Sequence, residues 1–314
     1  MITTNDKVAI VILNWNSYDD TIECLNSLVD LDYSFFEVFL VDNGSKDNSL
    51  VRIENEYRRG KFPYIINILK SDQNLGFAGG NNIGIQKAYQ ENYNYFWLLN
   101  NDTTVDPNAL NELIKEIKSD SKVGIVGSKI YYYGTDIIWF AGGLVNKYTG
   151  KTSHIGFKEK DKFQYNNTKE VDYISGCSLL FKKELIETAG YMSEDYFLYY
   201  EETDWNLRAQ KCDWKIKYVP GSIIYHKVSV SSGGENNLAP YVDYYYLRNC
   251  YIMIKRNKSS LSQIISLILL FFRFFKKMAK IYIFNLDRKK ERIKYLVKGI
   301  KDGLLNKMGK HPTF

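Results

Sequence analysis

Short apolar runs that end in polar turns recur along the first half of the chain. Val8–Leu13 is rich in β-branched residues and stops at Asn14-Trp15-Asn16, and Phe36–Val41 stops at Asp42-Asn43-Gly44-Ser45. Tyr64–Leu69 follows, and Phe96–Leu99 ends in Asn100-Asn101-Asp102. Runs this short and apolar throughout read as parallel strands buried on both faces. Between them, helical spacing predicts helices over Asp19–Leu28, Lys46–Tyr57 and Ile83–Tyr89. Asp106-Pro107 opens another, with Pro in a first turn where its missing N–H costs nothing. The order β-α-β-α-β-α-β predicts a doubly wound α/β sheet.

Beyond Val123–Val126 the pattern turns to strands and turns, including Lys129–Tyr133 and Ile137–Phe140. Asn146–Thr168 is polar and Lys-rich and is expected to be a mobile loop region. Tyr173–Phe181 returns to the core, helices are expected over Lys183–Ala189 and around Thr203–Lys211, and Ile216–Val219 and Ser222–Tyr225 read as closing strands. The chain has 314 residues, which suits one large α/β domain and an extension. The expected division is a catalytic domain over 1–257 and a basic, amphipathic helical extension over 258–314. The catalytic domain would have a nucleotide-binding half, 1–125, and an acceptor-binding half, 126–257.

Charge is unevenly spread. Residues 255–314 hold 16 Lys+Arg against 3 Asp+Glu, so the tail is strongly basic and the body mildly acidic, although the whole chain carries only +6. Such a tail points to an anionic partner surface. The four cysteines, Cys24, Cys177, Cys212 and Cys250, lack metal-ligand spacing and read as reduced thiols of a reducing compartment. The polar start Met1–Lys7 runs straight into the first strand, so no secretory leader is expected.

The candidate chemistry gathers at strand ends, because open α/β sheets bind ligands at the carboxyl edge of their strands. Asp42 either closes a turn or accepts a hydrogen bond from a base or ribose. The glycine-rich stretch Asn74-Leu75-Gly76-Phe77-Ala78-Gly79-Gly80-Asn81-Asn82 leads into a helix and suits close approach of a phosphate to backbone N–H groups, though it lacks dinucleotide-fingerprint spacing. In Asn100-Asn101-Asp102 the carboxylate suits a hard divalent ion that also holds a diphosphate; an Asx turn is the other reading. His226 is either structural or a further metal ligand. Glu201-Glu202-Thr203-Asp204 crowds three carboxylates at a helix start. They cap the helix dipole, and their repulsion raises one pKa toward that of a general base.

In order and spacing these segments, together with Ile12-Leu13-Asn14-Trp15-Asn16, Ser175-Gly176-Cys177, Phe197-Leu198-Tyr199-Tyr200 and Tyr225-His226, resemble the inverting glycosyltransferase family 2, over roughly residues 7–257. The resemblance is greatest to bacterial rhamnosyltransferases and their galactofuranosyltransferase relatives. It implies the GT-A fold, a mainly parallel sheet flanked by helices, and a divalent cofactor, Mg²⁺ or Mn²⁺. It implies donor contacts from Asn14, Trp15, Asn16, Asp42, Asn43, Gly76, Phe77, Asn81, Asn100 and Asn101, and metal contacts from Asp102 and His226. Glu202 falls at the catalytic base, with Glu201 as the other acidic member, and either can serve. Tyr200, Asp204 and Trp205 are the expected acceptor contacts. The implied reaction moves a sugar, L-rhamnose from dTDP-rhamnose, onto a saccharide or polyprenyl-diphosphate-linked acceptor in bacterial cell-surface polysaccharide synthesis. A UDP-sugar-dependent transferase and a catalytically weak assembly subunit are the alternatives. A nucleotidyltransferase is disfavoured, because its first strand should end in a basic glycine-rich loop rather than Asn14-Trp15-Asn16.

In the tail, Leu261–Phe275 is largely apolar, but its uninterrupted part, Leu267–Phe272, is far short of the ~20 residues that span a bilayer. Arg273, Lys276, Lys277 and Lys280 lie at its end. Residues 261–280 therefore read either as a helix lying in a membrane interface or as one packed on the body or in a homodimer. A long aliphatic face between the cations argues against nucleic acid. The expected location is cytoplasmic, peripheral to the inner face of the plasma membrane.

Overall fold

The computed structural model describes residues 6–146, 148–228, 238–284 and 286–311, so most of the polar start Met1–Lys7 lies outside it. Strands β1 (Val8–Asn14), β2 (Phe36–Asp42), β3 (Ile66–Lys70) and β4 (Tyr95–Asn100) form a parallel half-sheet in the order 3-2-1-4. Helices α1 (Tyr18–Ser27), α2 (Ser49–Arg58) and α3 (Gly76–Gln90) alternate with them. Val8 to Ile12, Val38 to Val41 and Phe96 to Leu98 are fully buried, the reason these runs carry no polar alternation.

The second half is mixed. After β5 (Thr103–Val105) and α4 (Ala109–Ile117) come β6 (Val123–Tyr132), β7 (Ile138–Phe140), the hairpin β8 (Gly143–Val145) and β9 (Thr152–His154), β10 (Lys169–Glu170) and β11 (Ser178–Lys182). Helices α5 (Lys183–Ala189) and α6 (Glu201–Lys211) lead to β12 (Lys215–His226). The order β10-β12-β6-β11-β4 continues the sheet; β11 runs antiparallel between β4 and β6, and β12 is parallel to β6. A buried hydroxyl chain crosses it, from Trp97 Nε1 to Ser178 at 3.0 Å and on through Ser128 to Ser222 at 2.7 Å each.

Several expectations shift. The glycine-rich stretch is not a loop: α3 begins at Gly76 and its first two turns are that stretch. A Cβ on Gly84 would lie 2.6 Å from Val11 Cγ1, so a small residue there lets the helix press onto β1. Asp106-Pro107 forms a turn, in which Asn108 N–H donates to Asp106 Oδ1 at 3.0 Å, and α4 starts only at Ala109. The two closing strands are one strand, with a register shift between Val219 and Ile223. The described part of the stretch expected to be mobile, 148–168, is anchored rather than loose: Lys129 and Asp161 form a buried ion pair at 2.9 Å, and Tyr218 Oη donates to Tyr165 O.

The C-terminal region is helical: α7 (Pro240–Asn257), α8 (Ser260–Ile283) and α9 (Lys289–Leu304). These helices pack on one another, and α7 also packs on α6. Leu247, Leu270, Ile281 and Leu296 form their small core. Among the described residues no helix is long and apolar enough to cross a membrane.

Candidate active site

The sheet register brings the strand ends together. Asn14 pairs with Asp42 across β1–β2, and Leu13 with Asn100 across β1–β4, so three polar strand ends share one edge. From the other side, Asn100 N–H donates to Cys177 O at 3.0 Å, which places Ser175-Gly176-Cys177 against Asn100-Asn101-Asp102. β12 pairs antiparallel with β5, with His226 opposite Thr103, and so delivers the imidazole beside Asp102.

Two adjoining hollows lie over this edge. The first, about 170 Å³, is walled by Trp15, Asn43, Phe77, Asn100, Asn101 and Asp102, with Tyr199 and Tyr241 opposite. The second, about 350 Å³, shares Phe77, Asn100, Asp102 and Tyr199 and adds Trp139, His154, Tyr173, Cys177, Tyr200, Glu201, Glu202, His226 and Tyr246. The acidic pair, the Asp102–His226 pair and an aromatic wall therefore face one cleft.

Not every expected contact reaches it. Asn14 and Asp42 are buried and hold the edge instead: Asn14 Nδ2 donates to Asp42 Oδ1 at 2.8 Å, and Asp42 Oδ2 accepts from Ser45 N–H at 3.1 Å. Asn16 Oδ1 accepts from Lys46 N–H at 2.7 Å and pins the neighbouring loop. Asn81 lies within α3, its Nδ2 donating to Phe77 O, because the stretch that contains it is helix. Asp204 and Trp205 do not line the cleft. Asp204 accepts from Tyr196 Oη and Arg208 Nε at 3.0 Å each, and Trp205 is fully buried with its N–H on Gly190 O at 2.7 Å. On a helix begun at Glu201, these positions turn to the core. Trp139, His154, Tyr173 and Tyr246, none singled out as a site residue from sequence, line the cleft beside Tyr199 of the Phe197–Tyr200 segment; no local pattern marks which aromatic side chains will face a cleft.

Glu201 and Glu202 open α6, whose preceding residue Tyr200 is in the left-handed conformation (φ 74°). Phe197 (φ 66°) and Tyr199 (φ 66°) share that sign. Non-glycine residues there cost on the order of 1–3 kcal/mol each and persist only where neighbours over-determine them. Gly76 makes room for this turn: at φ 76° its Cβ would fall 2.1 Å from Phe197 O, and the next N–H, of Phe77, donates to that oxygen at 2.9 Å. Burial pushes the Glu202 carboxyl up to about 6, against backbone N–H groups that favour its anion. Glu201 is raised well above the carboxylate range, first by burial and then by the charge of Glu202. Its Oε2 is buried without a hydrogen-bond partner. The pair is thus differentiated: both carboxyls are held toward their neutral forms, the inner Glu201 more strongly than the outer Glu202.

Asp102 Oδ1 lies 3.1 Å from His226 Nε2, an ion-pair contact rather than an aligned hydrogen bond, and Asp102 Oδ1 and His226 Nδ1 are buried without hydrogen-bond partners. Burial raises the Asp102 carboxyl, but His226 outweighs it and holds the group below its ordinary value, so it is ionised. Among the described residues no three His, Cys, Asp or Glu side chains converge on one point. The buried Asp102 carboxylate at the cleft wall nevertheless fits a divalent ion of the kind that takes one or two carboxylates and completes its shell with phosphate oxygens and water; burial lowers the His226 pKa but Cys177 and Asp102 outweigh it and raise it, so the imidazole would join such an ion only after losing its proton.

A parallel first half-sheet, a mixed second half and a cleft beside the Asn-Asn-Asp strand end define a GT-A type fold. The family model described as glycosyl transferase family 2 matches residues 9–188, and the chain belongs to that family. It is 25% identical over 231 residues to a poly-β-1,6-N-acetyl-D-glucosamine synthase of Staphylococcus epidermidis, covering 73% of this chain and 52% of the relative. It is 26% identical over 214 residues to the low-salt glycan biosynthesis hexosyltransferase Agl10 of Haloferax volcanii, covering 67% and 63%. The chain thus spans only about half to two thirds of the length of these relatives. In fold it is similar to S. aureus TarS 1–349 in complex with UDP-GlcNAc (TM-score 0.59, 15% identity, 96% of this chain and 81% of that one). It is equally similar to the mannosyltransferase PcManGT of Pyrobaculum calidifontis in complex with GDP-Man and Mn²⁺ (TM-score 0.59, 12% identity, 96% and 88%).

Proposed function

We propose that this chain is an inverting glycosyltransferase that moves a sugar from a nucleotide-diphosphate donor onto a saccharide hydroxyl in cell-surface polysaccharide synthesis. The observation that carries the reading is a cleft where an anionic carboxylate, Glu202, stands in the same wall as the Asp102–His226 pair. The first hollow, between Trp15 and the Asn100–Asp102 strand end, takes the nucleotide. The second takes the acceptor against Trp139, Tyr173 and Tyr246. Glu202 accepts the proton of the attacking hydroxyl, and protonated Glu201 behind it adds no second charge to repel that base. Asp102 and His226 would hold the divalent ion, which when bound offsets the charge of the departing nucleoside diphosphate. Attack from the face opposite the leaving group inverts the anomeric carbon.

L-Rhamnose from dTDP-rhamnose is the donor the motif set favours. The names of the relatives, a poly-N-acetylglucosamine synthase and TarS with UDP-GlcNAc, favour a UDP-sugar as the second reading. The acceptor is placed at a lipid surface, as a polyprenyl-diphosphate-linked saccharide. In support, α8 presents Leu261, Ile264, Ile268, Phe271, Phe272 and Phe275 to the outside, 44–72% exposed, on one helical face. Its other face turns Arg273 and Lys277 inward, to Thr149 O and Asp243. Exposed apolar area of this extent marks an interaction surface.

Calorimetric titration of the chain with dTDP-rhamnose, UDP-galactose, UDP-galactofuranose, UDP-GlcNAc and GDP-mannose, with and without Mn²⁺ or Mg²⁺, tests the proposal. Metal-enhanced binding of one donor supports it and names the sugar. A folded chain that binds none of them leaves the assembly-subunit alternative.

A further inference from the structure

The segment that carries the acidic pair is held from outside the sheet. Residues 196–200 form a short turn with left-handed backbone at Phe197, Tyr199 and Tyr200, and no glycine relieves it. Three of its carbonyl oxygens point toward α7, while Phe197 O accepts from Phe77 N–H of α3. There Asn249 Nδ2 donates to Tyr196 O at 3.1 Å, Leu198 O at 2.7 Å and Tyr199 O at 2.9 Å. Arg248 Nη2 donates to Tyr196 O at 2.8 Å, and Arg248 Nε to Asn249 Oδ1 at 2.8 Å. Both side chains are buried, at 1% and 0% exposure, deeper than most of the turn they hold.

This arrangement is more than packing. One amide reaches three carbonyls of the turn, of which Tyr196 O also accepts from Leu198 N–H at 2.8 Å, and its oxygen is oriented by the guanidinium beside it. The guanidinium is in turn fixed by Gly309 O at 2.7 Å and Tyr244 Oη at 3.1 Å, and Tyr244 Oη donates to Asp302 of α9 at 2.9 Å. The chain of contacts therefore runs from the C-terminal helices to Tyr199, two residues before Glu201. A backbone held in a sparsely populated conformation relaxes when its restraints are removed, and a first-turn carboxylate moves with its backbone.

We infer that Arg248 and Asn249 are positioning residues that hold the 196–200 turn in the conformation that presents Glu202 to the acceptor hollow. The inference rests on the transferase reading only for its effect on turnover; the clamp itself is tested without it. Asn249→Asp is the direct probe, because it keeps the oxygen that Arg248 binds and removes the N–H donors to the turn. Hydrogen exchange of the full chain should rise in peptides covering 195–204 and stay native in those covering β1 to β4. With whichever of dTDP-rhamnose, UDP-GlcNAc and GDP-mannose the native chain hydrolyses, kcat should fall about 10²-fold while donor KM stays within about two-fold. Arg248→Lys, which keeps a cation near Tyr196 O, should retain more of kcat than Asn249→Asp. Unchanged exchange at 195–204, or exchange raised equally throughout, would overturn the clamp. So would a fall in kcat no larger than the loss of folded fraction. Should Asn249→Asp not fold, Asn249→Ser, smaller and with one donor, reads the same exchange. A native chain that binds no nucleotide sinks the transferase reading, yet the exchange result still decides the clamp.

Discussion

His226 Nε2 sits 3.1 Å from Asp102 Oδ1 because β12 pairs with β5 one residue beyond the end of the Asn-Asn-Asp triplet. The pairing explains why a lone histidine more than a hundred residues away belongs to the same corner as the strand-end carboxylate.

If this corner holds a divalent ion with the donor's diphosphate, Asp102→Asn should abolish the gain in nucleotide affinity that Mn²⁺ brings. The loss should be at least the ~10–100-fold that removal of an outer-shell partner costs at metal sites. His226→Asn should give a smaller loss of the same kind. Calorimetry with and without Mn²⁺ reads both, and equal affinity of native and Asp102→Asn chains in Mn²⁺ would remove Asp102 from the metal site.

Glu202→Gln should lower turnover by about 10²–10⁴-fold, the usual contribution of a general base, with donor affinity nearly native. Glu201→Gln should be far milder, since burial and the charge of Glu202 hold that carboxyl the more strongly toward its neutral form. A comparable loss in both variants would exchange or share the roles.

The pH dependence follows from the same pair. A base must be deprotonated, so kcat/KM should rise with pH through about 6, where burial places Glu202, and the limb should vanish in Glu202→Gln. Stability runs the other way. Both folded-state pKa values are raised, so their contribution is full below the ordinary carboxylate value and is lost as pH rises through the folded values. Thermal unfolding should show Glu202→Gln gaining stability over the native chain at pH 8 and little at pH 4. A variant less stable than native at pH 8 would contradict the sign.

Gly84→Val adds a branched side chain where a Cβ alone would meet Val11 Cγ1 at 2.6 Å and Val41 Cγ2 at 3.1 Å. Both neighbours are stiff at χ1, so the helix must lift from the sheet. Overpacking of this kind costs about 1–3 kcal/mol, readable as a lower urea midpoint with an unchanged slope.

The outward face of α8 should bind anionic vesicles. Burying one large apolar side chain is worth about 1.5–3 kcal/mol, so Phe272→Ser with Phe275→Ser should weaken flotation with phosphatidylglycerol vesicles at least tenfold. Lys276→Ala with Lys280→Ala should weaken it on those vesicles only, by about 1 kcal/mol per lysine. No flotation of the native chain, with a stable dimer by sedimentation, would assign the face to a second copy.

The sequence by itself determined the elements whose signal is local. Unbroken β-branched runs named the parallel strands, and their polar ends named the ligand edge, because burial on both faces leaves its mark in the run itself. Lys183–Ala189 was legible residue for residue. The spacing of the ordered motifs was enough to place the chain among the family 2 transferases. Tertiary structure decided what depends on distant partners. It made Gly76-to-Asn82 helix, because the room these glycines create is filled by protein, Phe197 O at Gly76 and Leu13 of β1 at Gly80. It turned Asp204 and Trp205 to the core once α6 began at Glu201, and left Glu202 at the cleft. It also recruited Trp139, His154 and Tyr246, and set Arg248 and Asn249 on the carbonyls of the acidic turn. Periodicity records which face of an element is buried; it does not record against what, and a cleft is made wholly of such pairings.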